Sequence, residues 1–210
     1  YHDGTPFFYL GDTHWFLCHE KWDESNVEGI DSQFCYTVNH RVSQGFTVYQ
    51  SEPLGIPNIP QIYDLTDGLD ENDILGFQKL DEKFAYIAEC GLVHANSQLF
   101  FTDEISNPAY TSEYLRLLAR FWVARYGSYP VLWTVAQKID PHCYGTVYPE
   151  RWYTVAEAIA EFDAYRHPLT AHGANNCLLT SENSAWNGKP YHSWFGLQPQ
   201  EYTLNNTSYL

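Results

Sequence analysis

The sequence predicts an α/β fold with parallel strands, specifically a (β/α)8 TIM barrel of which about six βα units are present. Short apolar runs alternate with amphipathic segments along the 210 residues, and this order gives parallel strands joined by right-handed crossovers. The first predicted strand ends in "LGDTHW", without the glycine-rich phosphate loop of a doubly wound nucleotide fold. Polar residues stand at the end of every predicted strand, where a barrel carries its chemistry.

Each element follows from a local pattern. Strands are predicted where β-branched and aromatic residues form short runs, at residues 6–15, 46–53, 92–101, 130–137, 169–173 and 191–200. Amphipathic spacing predicts helices at residues 26–45, 74–91, 107–127 and 154–168. In the second helix, apolar residues at steps of three and four form one face, which consists of Phe77, Leu80, Phe84 and Ile87.

Capping signals predict where the last two helices begin. Asn107 is the predicted N-cap of the third helix, with Pro108 in its first turn. Thr154 and Glu157 have the spacing of a capping box and are predicted to open the fourth helix.

Composition limits the partners. The 26 acidic residues exceed the 11 Lys and Arg residues, so the formal net charge is −15, which disfavours nucleic acid and anionic membranes. No apolar run reaches the roughly 20 residues of a membrane span. Aromatic residues make up 17% of the chain, which suits both an aromatic core and a site that stacks on sugar rings.

The cysteines bear on localisation. Their number is five, they are widely spaced and no CxxC pair occurs, which indicates free thiols in a reducing compartment. We therefore expect a cytoplasmic protein, and a secreted protein whose leader has been removed is the alternative.

Polar and aromatic side chains at the predicted strand ends are the candidate site. Asp12 and His14 share one side of their strand, as do Gln50 and Glu52, because strand side chains alternate. Amides suit the hydroxyl groups of a neutral sugar, since they both donate and accept hydrogen bonds. The substrate-binding candidates are Asp12, His14, Trp15, Gln50, Gln98, Gln137, Lys138, His172, Trp194 and Gln198. Strand-end capping, or a core position for each histidine, is the structural alternative.

Several segments resemble the apiosidase-like glycoside hydrolases of family 140 and their relatives. They are "YHDGTPFFYLGDTHWF", "RVSQGFTVYQSE", "ARYGSYPVLWTVAQ" and "HPLTAH", and the resemblance covers roughly residues 1–200. It implies a (β/α)8 barrel that cleaves a glycosidic bond with two carboxylates, an acid/base after the fourth strand and a nucleophile after the seventh. We expect no cofactor and no metal.

Two departures from the family pattern affect the chemistry. Lys138 stands where the family carries its acid/base, so the catalytic candidates in this chain are Asp140, two residues further on, and Glu52. No seventh strand is predicted before residue 210. We therefore expect residues 1–210 to form an incomplete catalytic domain, completed by a further C-terminal segment or by another copy, and to be inactive alone.

Three functions fit these observations. The first is a glycoside hydrolase that acts on a plant or microbial polysaccharide or oligosaccharide, with one of its two carboxylates outside this chain. The second is a carbohydrate-binding barrel that has lost its chemistry, as Lys138 suggests. The third is a metal-dependent hydrolase that uses Asp12, His14 and His172. At the carboxyl ends of the strands, we expect one cleft lined by Trp15 and Trp194, into which Asp12, Glu52, Gln98, Gln137 and His172 point.

Overall fold

A computed structural model describes residues 3–15, 22–23, 25–53, 70–97, 111–137, 149–174, 189–191, 193 and 196–198. Strands and helices alternate along these residues. The strands are β1 (Gly11–Thr13), β2 (Val48–Ser51), β3 (Val93–Ser97), β4 (Val131–Gln137), β5 (Leu169–Ala174) and β6 (Gly196–Gln198). The helices are α1 (Gln33–Ser43), α2 (Glu71–Glu89), α3 (Ser112–Tyr126) and α4 (Pro149–Phe162).

The chain divides into two compact units. Unit one contains residues 1–96 and 129–131, and unit two contains residues 97–128 and 132–210. In unit one β2 pairs in parallel with β1 and with β3. In unit two β5 pairs in parallel with β4 and with β6. Parallel pairing of strands separated by helices confirms the predicted fold class.

Unit one buries the predicted apolar face of α2. Phe77, Leu80, Phe84 and Ile87 are all at most 1% exposed, so the sequence periodicity identified the core side of this helix. The helix begins at a capping box in which Asp70 and Asp73 exchange side chain to backbone hydrogen bonds. These bonds satisfy amide groups that would otherwise lack partners at the helix start.

Unit two packs α3 against α4. The buried side chains of these helices include two large aromatic residues, Trp122 on α3 and Trp152 on α4, both at 0% exposure. On the surface, Arg116 of α3 donates to Glu161 of α4 at 2.5 Å. These contacts hold α3 and α4 together in unit two.

Three helix starts differ from the predictions by more than three residues. α1 begins at Gln33 rather than near residue 26, because Gly29 has a left-handed φ of 81° and the Ser32 hydroxyl caps the amide of Cys35. α3 begins after Thr111, whose hydroxyl accepts from the Tyr114 amide, so the prediction of Asn107 as N-cap is wrong. α4 begins at Pro149, which needs no amide partner at a first helical position, so the prediction of a start at Thr154 is wrong.

Candidate active site

The carboxyl ends of β1 and β2 stay paired beyond the strands themselves. The His14 amide donates to the Gln50 carbonyl at 2.6 Å, and the Glu52 amide donates to the Trp15 carbonyl at 3.1 Å. The backbone at residues 14–15 and 50–52 is thereby fixed by hydrogen bonds. Side chains at these positions are held on defined faces of the sheet, since residues alternate along a strand.

One face of these strands packs against the helices of unit one. The ring of Tyr49 lies 6.2 Å from the Phe34 ring of α1, and the ring of His94 lies 4.3 Å from the Phe84 ring of α2. Tyr49 and His94 are register partners, so they share this face. Gln50 follows Tyr49 and therefore points to the opposite face, which in a barrel is the interior.

Asp12 lies on the helix-facing side. It is the register partner of Tyr49, and its carboxylate accepts from Arg41 of α1 at 2.5 Å. The side chains of Asp12 and Arg41 are 40% and 32% exposed. Asp12 therefore does not share the face of Gln50 and Glu52, whereas the sequence predicted Asp12 and Glu52 in one cleft. Its part in binding substrate stays a prediction.

His14 also belongs to the helix-facing group. Its Nδ1 contacts the Tyr49 hydroxyl, and the two rings meet edge to face with centroids 5.5 Å apart. His14 and Asp12 thus share one side of the chain, as the alternation predicted. Trp15 is the next residue, is half-buried, and lies one step along from His14, beside Glu52 in the extended pairing.

Ser51 and His94 form a buried cross-strand pair. The Ser51 hydroxyl lies 2.7 Å from Nε2 of His94, and both residues are at most 1% exposed. Burial lowers the pKa of His94 to about 3, so its imidazole is neutral in the folded protein. Its Nδ1 has no hydrogen-bond partner among the described residues. The pair joins β2 to β3 next to Glu52.

Gln50 and Glu52 are two candidates at the end of β2 that lie on one face of the sheet. They lie two residues apart in the paired segment, and Glu52 is only 2% exposed. The Tyr9 hydroxyl donates to Oε1 of Gln50 at 3.4 Å. Gly11 makes this contact sterically feasible, because a Cβ at residue 11 would come within 3.0 Å of the Tyr9 ring. Gln50 and Glu52 thus form a polar pair on the face opposite the helices.

In unit two the structure describes the backbone of three further candidates. Gln137 at the end of β4 is the register partner of His172 in β5, beyond a register shift between Thr134 and Gln137. Gln198 in β6 is the register partner of Ala174 in β5. The strand positions therefore agree with the predicted pattern of polar strand ends, and the orientation of these three side chains stays a prediction.

Four candidates lie outside the described residues. They are Gln98, Lys138, Asp140 and Trp194. Within the described ranges, no group of three or more His, Cys, Asp and Glu side chains is arranged to hold a metal ion. No helix in the described part of the chain is long and apolar enough to cross a membrane.

The fold is shared with glycoside hydrolase structures. A structure titled "Glycoside hydrolase" superposes with a TM-score of 0.65 at 20% identity, covering 92% of this chain and 42% of the other. A family 5 glycoside hydrolase from Bacteroides vulgatus superposes with a TM-score of 0.66 at 17% identity, covering 90% and 40%. The chain thus has the fold of glycoside hydrolase barrels and spans about two fifths of their length.

The sequence identifies the family. It matches the apiosidase-like catalytic domain over residues 1–201, and the chain belongs to that family. No curated protein matches the sequence. The resemblance inferred from the strand motifs is confirmed.

Sequence reasoning did not find two polar clusters. Ser51 with His94 was one, and Asp163 with Trp133 and His167 was the other. The cluster of Asp163 could have been predicted, since Asp163 and His167 are four residues apart, directly after a helix and before a proline. The pair of Ser51 and His94 could not have been predicted, because a serine and a histidine 43 residues apart give no local pattern.

Proposed function

We propose that this chain supplies the carbohydrate-binding part of a glycosidase site that acts on a plant or microbial polysaccharide or oligosaccharide. Hydrolysis in this proposal uses two carboxylates, one of them outside these 210 residues. The observation that carries the proposal is the family match over residues 1–201. It is supported by the buried Glu52 beside Gln50 at the carboxyl end of β2, where barrel enzymes place their sites.

In this proposal Gln50 and Glu52 hold sugar hydroxyl groups and Trp15 stacks on the ring. An ionised carboxylate accepts hydrogen bonds about twice as strong as neutral ones, which suits a residue that must orient a neutral sugar. The anchoring contacts of Tyr49 with His14 and of Ser51 with His94 lie on the other face. They fix the backbone without occupying the binding surface.

The test is a hydrolysis assay on a protein that carries these residues within a complete barrel. Aryl glycosides and plant oligosaccharides are the substrates, and the aryl alcohol or new reducing ends are measured. We expect Glu52→Gln to lower kcat/KM by about 10–100-fold, the loss of one hydrogen bond to a charged group. Glu89→Gln, at an exposed position of α2, is the matched control and should leave kcat/KM unchanged. Equal rates for both variants would contradict the role of Glu52.

A binding barrel without chemistry is the second candidate, and Lys138 at the acid/base position favours it. A lysine with its reference pKa of about 10.4 is a poor general acid near neutral pH. In this alternative Lys138 pairs with Glu52 or Asp140, or points away from the site. Lys138→Glu in the complete barrel should then create or raise activity, most of all on an aryl glycoside with a poor leaving group. Loss of activity in this variant would show that Lys138 belongs to the machinery.

A further inference from the structure

A cavity lies in unit two, at the amino end of β5. Its volume is about 360 Å³, within the usual range for sites that hold small molecules. It opens beside the last turn of α4 and the turn that leads into β5. Its lining includes Arg166, His167, Pro168, Pro190 and Tyr191. Barrel chemistry is placed at the carboxyl ends of strands, so this cavity is separate from the candidate active site.

Arg166 has a left-handed backbone conformation, which is unfavourable for a residue with a Cβ atom. Its φ is 56°, and among the described residues it is the only one other than glycine with a positive φ. Glycine or asparagine would adopt this conformation at lower cost. Arg166 is exposed at the cavity, and its guanidinium makes no hydrogen bond or ion pair with the described residues. An arginine in this strained conformation is the starting point for a hypothesis that its side chain binds a ligand.

The buried carboxylate of Asp163 fixes the position of His167 at the wall of the cavity. Asp163 accepts from the indole of Trp133 at 2.8 Å, from the amides of Tyr165 and His167, and from Nδ1 of His167 at 3.0 Å. With Nδ1 engaged, Nε2 of His167 is the nitrogen left for a ligand. Asp163 accepts four donors and is therefore a support for the site, not a ligand group.

The charge around the cavity disfavours an anion. Asp163 lies at the wall, and Glu157 lies close enough to Tyr191 to help raise the pKa of the phenol, for which burial is the main cause. The carboxyl end of α4 adds the negative end of the helix dipole. The whole chain carries a net charge of −15. Arg166 thus stands in a negative surrounding, and its guanidinium offers hydrogen-bond donors that a neutral group could accept.

The rest of the lining suits the apolar face of a sugar ring. Pro168, Pro190 and the ring of Tyr191 provide flat apolar surface, and aromatic rings stack on such faces. We infer that this cavity binds one ring of a neutral saccharide, which packs on Tyr191 and the prolines and hydrogen-bonds to Arg166 and His167. The inference rests on the proposed carbohydrate function and adds a second saccharide site to it.

The experiment is a titration of the 210-residue protein followed by backbone amide shifts. Cellotetraose and xylotetraose are the neutral probes, and glucuronate is the anionic probe. Amides of residues 163–169 report the cavity, and amides of residues 50–52 report the candidate active site. We expect a neutral probe to shift residues 163–169. Arg166→Gly should weaken this binding at least tenfold without lowering Tm, because glycine adopts a φ of 56° freely.

Lys79→Ala is the control for loss of one positive charge at an exposed position of α2, and should leave binding unchanged. Four results would overturn the inference: shifts confined to residues 50–52, no shifts from either neutral probe, binding of glucuronate alone, or full affinity in Arg166→Gly. Shifts confined to residues 50–52 would leave the proposed function standing. Shifts confined to residues 163–169 would support the cavity and contradict the placement of the active site.

Discussion

Two regions differ in how they hold the side chains that would face a ligand: the carboxyl end of β2 and the amino end of β5. In each region some side chains stabilise the backbone and others are left to face the ligand. At the end of β2 the separation follows strand alternation, since Ser51 bonds to His94 on the helix-facing side while Gln50 and Glu52 take the other face. Before β5 one carboxylate, Asp163, gathers four donors in a single turn. The first region therefore depends on register between strands, and the second depends on one residue.

Loss of Asp163 should give the largest effect on stability. Asp163→Ala leaves the Trp133 indole, two amides and His167 without their acceptor, and we expect a loss of about 3–5 kcal/mol in the free energy of unfolding. Glu161→Ala is the control, because this exposed partner of Arg116 should cost less than about 1 kcal/mol. Urea unfolding of both variants measures the difference. Similar losses would refute the single-residue account of this turn.

Asp163 also gives the turn before β5 a dependence on acid. Burial raises the pKa of Asp163, but the hydrogen bonds from His167 and Trp133 outweigh it, and the pKa lies below its usual value. A carboxyl group with a depressed folded pKa contributes stability above its unfolded pKa of about 3.9, and that contribution is lost as pH falls through the folded pKa. Asp163→Asn should therefore flatten the stability profile below pH about 4, as measured by urea unfolding.

His94 should give the end of β2 a dependence at higher pH. Its folded pKa of about 3 lies far below the unfolded value, so the unfolded chain binds the proton first as pH falls below about 6.5. The contribution to unfolding free energy should drop by about 1.4 kcal/mol per pH unit from there towards pH 3. His94→Gln should lose this slope, whereas His40→Gln, on the exposed side of α1, should keep it.

The His94 prediction can also be checked without a variant. The imidazole of His94 should remain neutral in the folded protein at pH 5, as read from its ring proton shifts. A normal titration near pH 6.5 would contradict its assigned burial.

The smallest effect is expected at Asp12. Asp12→Asn removes an exposed ion pair with Arg41, which should cost about 0.2–1 kcal/mol. The difference from wild type should shrink in 1 M NaCl, because salt screens exposed charges. Thermal unfolding at low and high salt measures it, and a salt-independent loss above about 2 kcal/mol would give Asp12 a larger structural role than its exposure allows.

The sequence predicted features that depend on local periodicity. Phe77 and Phe84 were placed on the buried face of α2 because helical spacing is visible in the letters alone. Asp12 and Glu52 were expected in one cleft, and the structure places them on different faces because Asp12 pairs in register with Tyr49. Register is set by pairing with the neighbouring strand. The local sequence pattern therefore could not predict which face of the sheet a residue at a strand end would take.

Helix starts show the same limit. Asn107 and Thr154 have sound capping signals, yet Thr111 and Pro149 stand at the observed starts. Several residues near a helix start can each supply a cap, and packing decides among them. Trp152, fully buried in the first turns of α4, has such a packing role.

The most direct test of the account uses the 210-residue chain alone, incubated with a neutral tetrasaccharide and with an aryl glycoside. We predict that the tetrasaccharide shifts the amides of residues 50–52, that Glu52→Gln weakens this binding, and that no aryl alcohol is released. Clear hydrolysis of the aryl glycoside by the chain alone, abolished in Glu52→Gln, would show that the essential carboxylate lies within these residues. It would contradict the proposal that one of the two catalytic carboxylates lies outside them.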